Sequence, residues 1–316
     1  MVIYYIWRVY RMEKAKLETK RIVLFLAITF GLSWGYCFGV VRPLVDSAGL
    51  MGVPSVAAQL AVAAMMLFPA LGVVLTRLIT KEGFGNAWLR PHFRGNLRLY
   101  LAAWFGPGIL TVLGAALYFL IFPDQLDLSL AYFRSTLASL GALEELPMPL
   151  ELLFAIQAVQ GLLMAPAMNI VFCFGEEWGW RGYLLPKLSG KLPVVPLVVV
   201  SGVIWGLWHA PLTAMGHNYG LNYPGFPWLG IAAMCCFCTA MGIFLSWLTL
   251  RTGSCLPAIL AHGAVNGIAA LGVYLTADGG DPFVGPAPTG IVGAIPLLVV
   301  AVLCLRSLLK NPPADC

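Results

Sequence analysis

Eight stretches of this 316-residue chain stay apolar for about twenty residues or more, at about 22–41, 55–76, 99–122, 155–186, 194–215, 227–250, 256–276 and 288–305. In hydrocarbon each backbone N–H and C=O needs an internal partner, and a helix supplies all of them from within one segment. About 20 apolar residues suffice for a helix to cross the roughly 30 Å core of a bilayer. With 60% hydrophobic and 10% charged residues and a mean hydropathy of +0.85, a soluble globular domain is excluded. The expected fold is all-α, a polytopic membrane bundle of about eight transmembrane helices. The first run follows a basic leader that lacks a small-residue cleavage site, so it reads as a retained helix and not as a signal peptide.

The net charge of +5 raises the question of a nucleic-acid partner, and its distribution gives another answer. Sixteen of the nineteen Lys and Arg residues fall on one side of the spans: in the leader, between the second and third spans, and at Lys187, Lys191, Arg251, Arg306 and Lys310. Arg181 lies inside a span, and only Arg42 and Arg134 fall opposite. The positive-inside rule then places both termini in the cytoplasm of a multi-pass cell-membrane protein, with the bilayer as partner and no nucleic acid. Asp124, Asp127, Glu144, Glu145, Asp278 and Asp281 face the exterior in this arrangement.

The chain divides into a basic cytoplasmic leader, 1–21, N-terminal membrane helices and an external loop, 22–150, a group of polar-motif helices, 151–276, and a last helix with a cytoplasmic tail, 277–316. The leader, with Tyr4, Tyr5, Trp7, Arg8 and Tyr10, suits either an interfacial helix on an anionic leaflet or a solvated tail. A short helix is expected across Leu128 to Leu140, and Gly216 to Pro227 reads as a turn-rich external loop without a chemical motif. The cysteines, including Cys235-Cys236-x-Cys238, read as small buried hydrophobes. The C-terminal Cys316 is the last residue and so is not a CAAX box.

Against this apolar background stand Glu176-Glu177-x-x-x-Arg181, Trp205-x-x-x-His209 and His262-x-x-x-Asn266. Ionisable groups within a bilayer cost several kcal/mol, roughly 2.5 or more each, so such clusters are functional candidates. Glu177 and Arg181 have the spacing and order of an intrahelical ion pair. Glu176 is left without that partner and suits a general base. Asn169, two turns earlier, extends the polar stripe. A lone histidine on an apolar helix is ordinarily a satisfied core residue, but two of the four histidines fall in spans, where they can hold a metal or position a water. His262 and Asn266 share a helix face and can donate to an oxyanion, or simply join helices. Each motif overlaps a small-residue pair, Gly175/Gly179, Gly202/Gly206 and Gly263/Gly267, of the kind that permits close helix approach.

Over Gly161 to Leu275 these residues resemble the CPBP family, which contains the type II CAAX prenyl endopeptidases and the bacteriocin-processing and immunity proteins. The resemblance implies an intramembrane endopeptidase in which Glu176 and His209 activate water, His262 and Asn266 stabilise the oxyanion, and Glu177 and Arg181 brace the site. The aromatic position is usually Phe in the family and is Trp205 here. The family carries both a zinc reading, for which Glu176, His209 and His262 are the candidate ligands, and a metal-free glutamate mechanism. The implied substrate is a peptide or membrane-associated protein in a cavity open to the cytoplasm or to lipid. Two other classes compete: a non-catalytic immunity or regulatory protein of the same fold, and a transporter, for which the chain lacks an obvious internal repeat.

Overall fold

The computed structural model describes residues 2–47, 55–143 and 146–312. Glu144, Glu145 and Cys316 lie outside these, as do the side chains of the leader up to Lys14. The described residues form a polytopic helical membrane bundle without strands. Its main helices are α1 (Val2–Tyr36), α2 (Val56–Met65), α3 (Phe68–Ile79), α4 (Leu97–Ile121), α5 (Ala131–Ser139), α6 (Leu150–Leu163), α7 (Ile170–Gly179), α8 (Val194–Trp208), α9 (Trp228–Thr252), α10 (Leu256–Ile268) and α11 (Ile295–Lys310). The leader's backbone is the first part of α1, which runs on through a wide π-type turn at Cys37–Val41 into Arg42–Ser47.

Five segments among the described residues are long and apolar enough to cross a membrane: Ala15–Asp46, Val56–Ile79, Leu97–Ile121, Trp228–Thr252 and Leu256–Leu275. The other three expected spans differ from straight crossings. The stretch 155–186 is not one helix. α6 stops at Leu163, a single turn follows at Ala165–Met168, and α7 leads into a π-type turn at Trp180–Leu184. Pro166 is the cause of the first break, since it has no N–H to give and its ring collides with the preceding turn. The last span, expected at 288–305, is α11 at Ile295–Lys310, because Pro282, Gly285, Pro286, Pro288 and Gly290 hold the preceding apolar stretch in turns.

The third departure is α8, only 15 residues long. At 1.5 Å per residue it reaches about 22 Å, short of a full crossing. Pro211 ends it, and a short helix, Ala210–Thr213, carries the chain on. Trp208 and His209 are therefore left within the bundle and not at its surface.

Close helix contacts hold these broken segments together. A Cβ on Gly202 or Gly206 of α8 would sit 2.5 Å from the Cα of Thr239 or Cys235 on α9. Gly175 and Gly179 of α7 meet Met66, Leu67 and Pro69 where α2 passes into α3, and Gly263 and Gly267 of α10 meet Pro166 and Ala165. All three small-residue pairs thus lie at backbone contacts. α9 ends at Gly253, whose φ of 67° allows its N–H to close on the Thr249 carbonyl. The cysteines behave largely as expected: Cys37, Cys173, Cys238, Cys255 and Cys304 are buried and free, while Cys236 is exposed.

Candidate active site

Three elements bring the polar motifs together: α7, the end of α8 and the middle of α10. Glu176, Glu177 and Arg181 are at most 2% exposed, and His262 and His209 are also buried. The Glu177–Arg181 pair forms as the spacing implies, with Arg181 Nη1 donating to Glu177 Oε1 at 3.0 Å. The same oxygen lies 2.9 Å from His262 Nδ1. Glu177 therefore serves two partners on two elements and ties α7 to α10. Arg181 also lies 4.2 Å from the Trp205 ring, a cation–π contact that suits a desolvated guanidinium. Glu177 Oε2 and Arg181 Nε and Nη2 have no hydrogen-bond partner among the described residues. A buried ion pair left partly unsatisfied is an expensive way to stabilise a fold.

Glu176 takes no part in that ion pair, as the spacing implies, but it is not unheld. Trp205 Nε1 donates to Glu176 Oε2 at 2.6 Å, so the acid is held although it has no cationic partner of its own. The Trp205 ring stands edge-on to both histidines, with centroids 5.8 Å from His209 and 5.3 Å from His262. Trp205 is the hub of the site, a role the motif spacing gave no sign of. A phenylalanine at that position would keep the ring and lose the donor.

The ring nitrogens constrain the chemistry. His209 Nδ1 is 2.9 Å from the Trp205 carbonyl, which accepts, so this nitrogen carries the proton and Nε2 is the ring's remaining site. His262 Nδ1–H donates a hydrogen bond to Glu177 Oε1, by the same argument. A neutral His262 would then offer Nε2 as an acceptor, and only the imidazolium form would donate to an oxyanion. Asn266 lies one turn further along α10, is exposed, and has Cys173 Sγ 3.8 Å from its Nδ2. Asn169 sits at a helix junction and donates to the carbonyls of Ala165 and Gly263, tying α7 to α10 behind the site.

Glu176, Trp205, His209, His262 and Asn266 line one cavity of about 310 Å³, so the short α8 brings His209 to the same space as Glu176. The opposite wall is Gln59, Val62, Ala63 and Met66, mainly from α2, and the rim includes His217, Asn218, Pro288 and Thr289. His217 was missed in the sequence, because it falls in a loop with no helical spacing to link it to the others. The zinc reading does not fit these side chains. Among the described residues no three His, Cys, Asp or Glu groups come together as a ligand set.

The fold and the site define a polytopic membrane protein whose buried carboxylates and histidines meet on three broken or short helices. Residues 158–268 match the family model described as type II CAAX prenyl endopeptidase Rce1-like. Over that segment the chain is similar to CAAX-type membrane endopeptidases. A relative, the CAAX prenyl protease 2 of Methanococcus maripaludis, is 32% identical over 95 residues, or 29% of this chain. The match spans 34% of that relative's length.

Proposed function

We propose that the chain is an intramembrane endopeptidase in which Glu176 is the general base that delivers water to a peptide carbonyl. The observation that carries this reading is a buried carboxylate with no ion pair among the described residues, held by Trp205 in a cavity it shares with two histidines. A structural acid has no use for that environment, because burial of a charge is compensated only by pairing and hydrogen bonding.

In the proposed reaction Glu176 takes a proton from water as its oxygen attacks the scissile carbonyl. His262 as imidazolium, with Glu177 as counter-charge, donates Nε2–H to the oxyanion, and Asn266 supplies an amide N–H. The proton on Glu176 then passes to the leaving amine, directly or through His209 Nε2, so the carboxylate is regenerated as the C–N bond breaks. Arg181 offsets the second buried carboxylate and presses on the Trp205 ring. The residues as they stand perform each of these steps through hydrogen bonds and proton transfers.

The test is Glu176→Ala in purified protein. Peptide cleavage should be lost while the variant elutes and melts as a folded membrane protein. Cleavage retained at the parental rate would remove Glu176 from the mechanism and favour the second reading, a non-catalytic immunity or regulatory protein.

A further inference from the structure

The basic residues and the cavity lie toward opposite ends of the bundle. Lys187 Nζ lies 2.7 Å from Glu18 Oε2 and 2.6 Å from Glu82 Oε1, and Tyr183 donates to Glu82 Oε2. Arg21 and Arg77 join the same network, which ties the start of the α1 span to the loop after α3 and to the turn after α7. None of these residues borders the cavity that holds Glu176. Several helical residues that border it lie at the other ends, Gln59 early in α2, Trp205 and Trp208 in the last turn of α8 and Asn266 in the last turn of α10, whereas Glu176 falls late in α7 and His262 in the middle of α10.

The rim repeats this polarity. His217 and Asn218 belong to the α8–α9 connection, and Pro288 and Thr289 to the α10–α11 connection. Neither connection contains a lysine or arginine. A second cavity, of about 670 Å³, lies against the same two connections, and Asn218 and Thr289 line both cavities. Its walls are aromatic: Tyr219 stacks on Phe283 with centroids 4.8 Å apart and donates to the Thr289 carbonyl. Two concave spaces that share wall residues form an outer vestibule and an inner chamber, each of a size that holds organic ligands.

We propose that the vestibule between the α8–α9 and α10–α11 connections is the binding and access site for the substrate, a polypeptide segment presented on the extracytoplasmic side of the membrane. The side follows from the charges: sixteen of nineteen basic residues mark the other end of the bundle as cytoplasmic. The word substrate rests on the endopeptidase reading; the route rests on geometry and charge alone. A peptide bond in a cytoplasmic tail would approach from the end where the Lys187–Glu82 network lines a cavity of about 680 Å³ that shares no wall residue with the Glu176 chamber, whereas an extracytoplasmic segment meets Thr289 and Asn218 first. Where the resemblance implies a cavity open to the cytoplasm or to lipid, the proposed route opens at the end away from the basic network.

Labelling with a membrane-impermeant maleimide tests the route without any cleavage assay. Thr289→Cys and Gly190→Cys would be made separately in the full chain, and modification read at each residue by peptide mass spectrometry. Gly190 is exposed beside Lys191, and a Cβ there meets nothing within 4 Å, so it marks the basic end. Thr289→Cys should react in right-side-out vesicles and lose its labelling in inverted ones; Gly190→Cys should do the reverse. Asn222→Cys, exposed on the same vestibule, provides an independent reading if Thr289→Cys does not fold. Labelling of vestibule and basic end from the same side, labelling of the vestibule from inverted vesicles only, or a vestibule that reacts from neither side would overturn the proposal. Loss of cleavage in Glu176→Ala leaves this result unchanged, so failure of the route and failure of the mechanism are separate outcomes.

Discussion

Trp205 shows what a single indole adds to a buried acid. Its N–H is the hydrogen bond that holds Glu176, while its face receives Arg181 and its edges meet two imidazoles. Hydrogen bonds to charged groups contribute about 1.5–3 kcal/mol, so losing this one should lower kcat by roughly tenfold or more, with KM little changed. Trp205→Phe, which keeps a ring and removes the donor, measures that effect by steady-state kinetics; parental kcat would show that the bond has no part in turnover. The two neighbouring glutamates should fail in different ways. Glu177→Gln leaves Arg181 buried without a counter-charge, a change that costs about 3–5 kcal/mol, and should lower the unfolding midpoint in detergent clearly. Glu176→Gln keeps an acceptor for Trp205 and removes only a carboxylate that has no cation, so its midpoint should stay near the parent's while activity is lost. Equal midpoints for both variants would contradict the division of roles. The sequence made the Glu177–Arg181 pair legible because four residues on a helix fix the distance. It could not reveal the second bond of Glu177 to His262, which depends on how α10 packs against α7.

Among the elements, the long uninterrupted helices were the most legible, since twenty apolar residues have one solution in lipid; α4 and α9 fall close to their expected limits. Broken segments were not, because hydropathy continues across a proline that ends a helix. Pro166 divides an apparent span, Pro211 stops α8 short, and the proline- and glycine-rich stretch before α11 is apolar without being helical. These breaks build the site. They end α8 beside the cavity and place Asn169 at a junction where it can reach α10. Local hydrogen bonding decides a smaller element outside the candidate spans. α5 follows Asp127, whose carboxyl is held below the usual carboxylate range by the Ser129 side chain and by the backbone N–H groups of Ala131 and Ser129. A depressed folded pKa gives stability that is present above the ordinary value and is lost as pH falls through the folded one. Amide exchange over Ala131–Ser139 should therefore be slow at pH 7 and accelerate below about pH 4. Asp127→Asn should flatten that dependence. Acceleration of the same size in the variant would mean another group controls the element.

At the scale of the whole molecule, charge is sorted along the bundle, and the sorting has a consequence at each end. Arg21, Arg77 and Lys187 surround Glu18 and Glu82 at one end, so much of their field is cancelled locally. At the other end, Asp278 and Asp281 border the vestibule, and their described contacts are backbone N–H groups: Gly280 for Asp278, Phe283 and Val284 for Asp281. No ion pair among the described residues joins either aspartate to a cation, although Arg134 lies two residues from Tyr132, which lines the same vestibule. A vestibule of this kind favours cations over anions by its field, independently of what is cleaved. Two carboxylates one Debye length away, about 8 Å, act through water with an energy that salt reduces but does not remove, and reversing the sign of a probe doubles the difference; the expected discrimination is on the order of threefold. Asp278→Asn with Asp281→Asn removes both charges and leaves an oxygen to accept each backbone N–H, so the loop geometry is preserved. In the Thr289→Cys protein, the rate of a cationic methanethiosulfonate divided by that of its anionic counterpart cancels differences in access. That ratio should fall about threefold in the doubly neutralised background at physiological salt, and the fall should shrink as salt rises toward 1 M, where the screening length is about 3 Å. A ratio unmoved by the substitutions would show that the two aspartates lie outside the path to Thr289, and that the vestibule selects by shape alone.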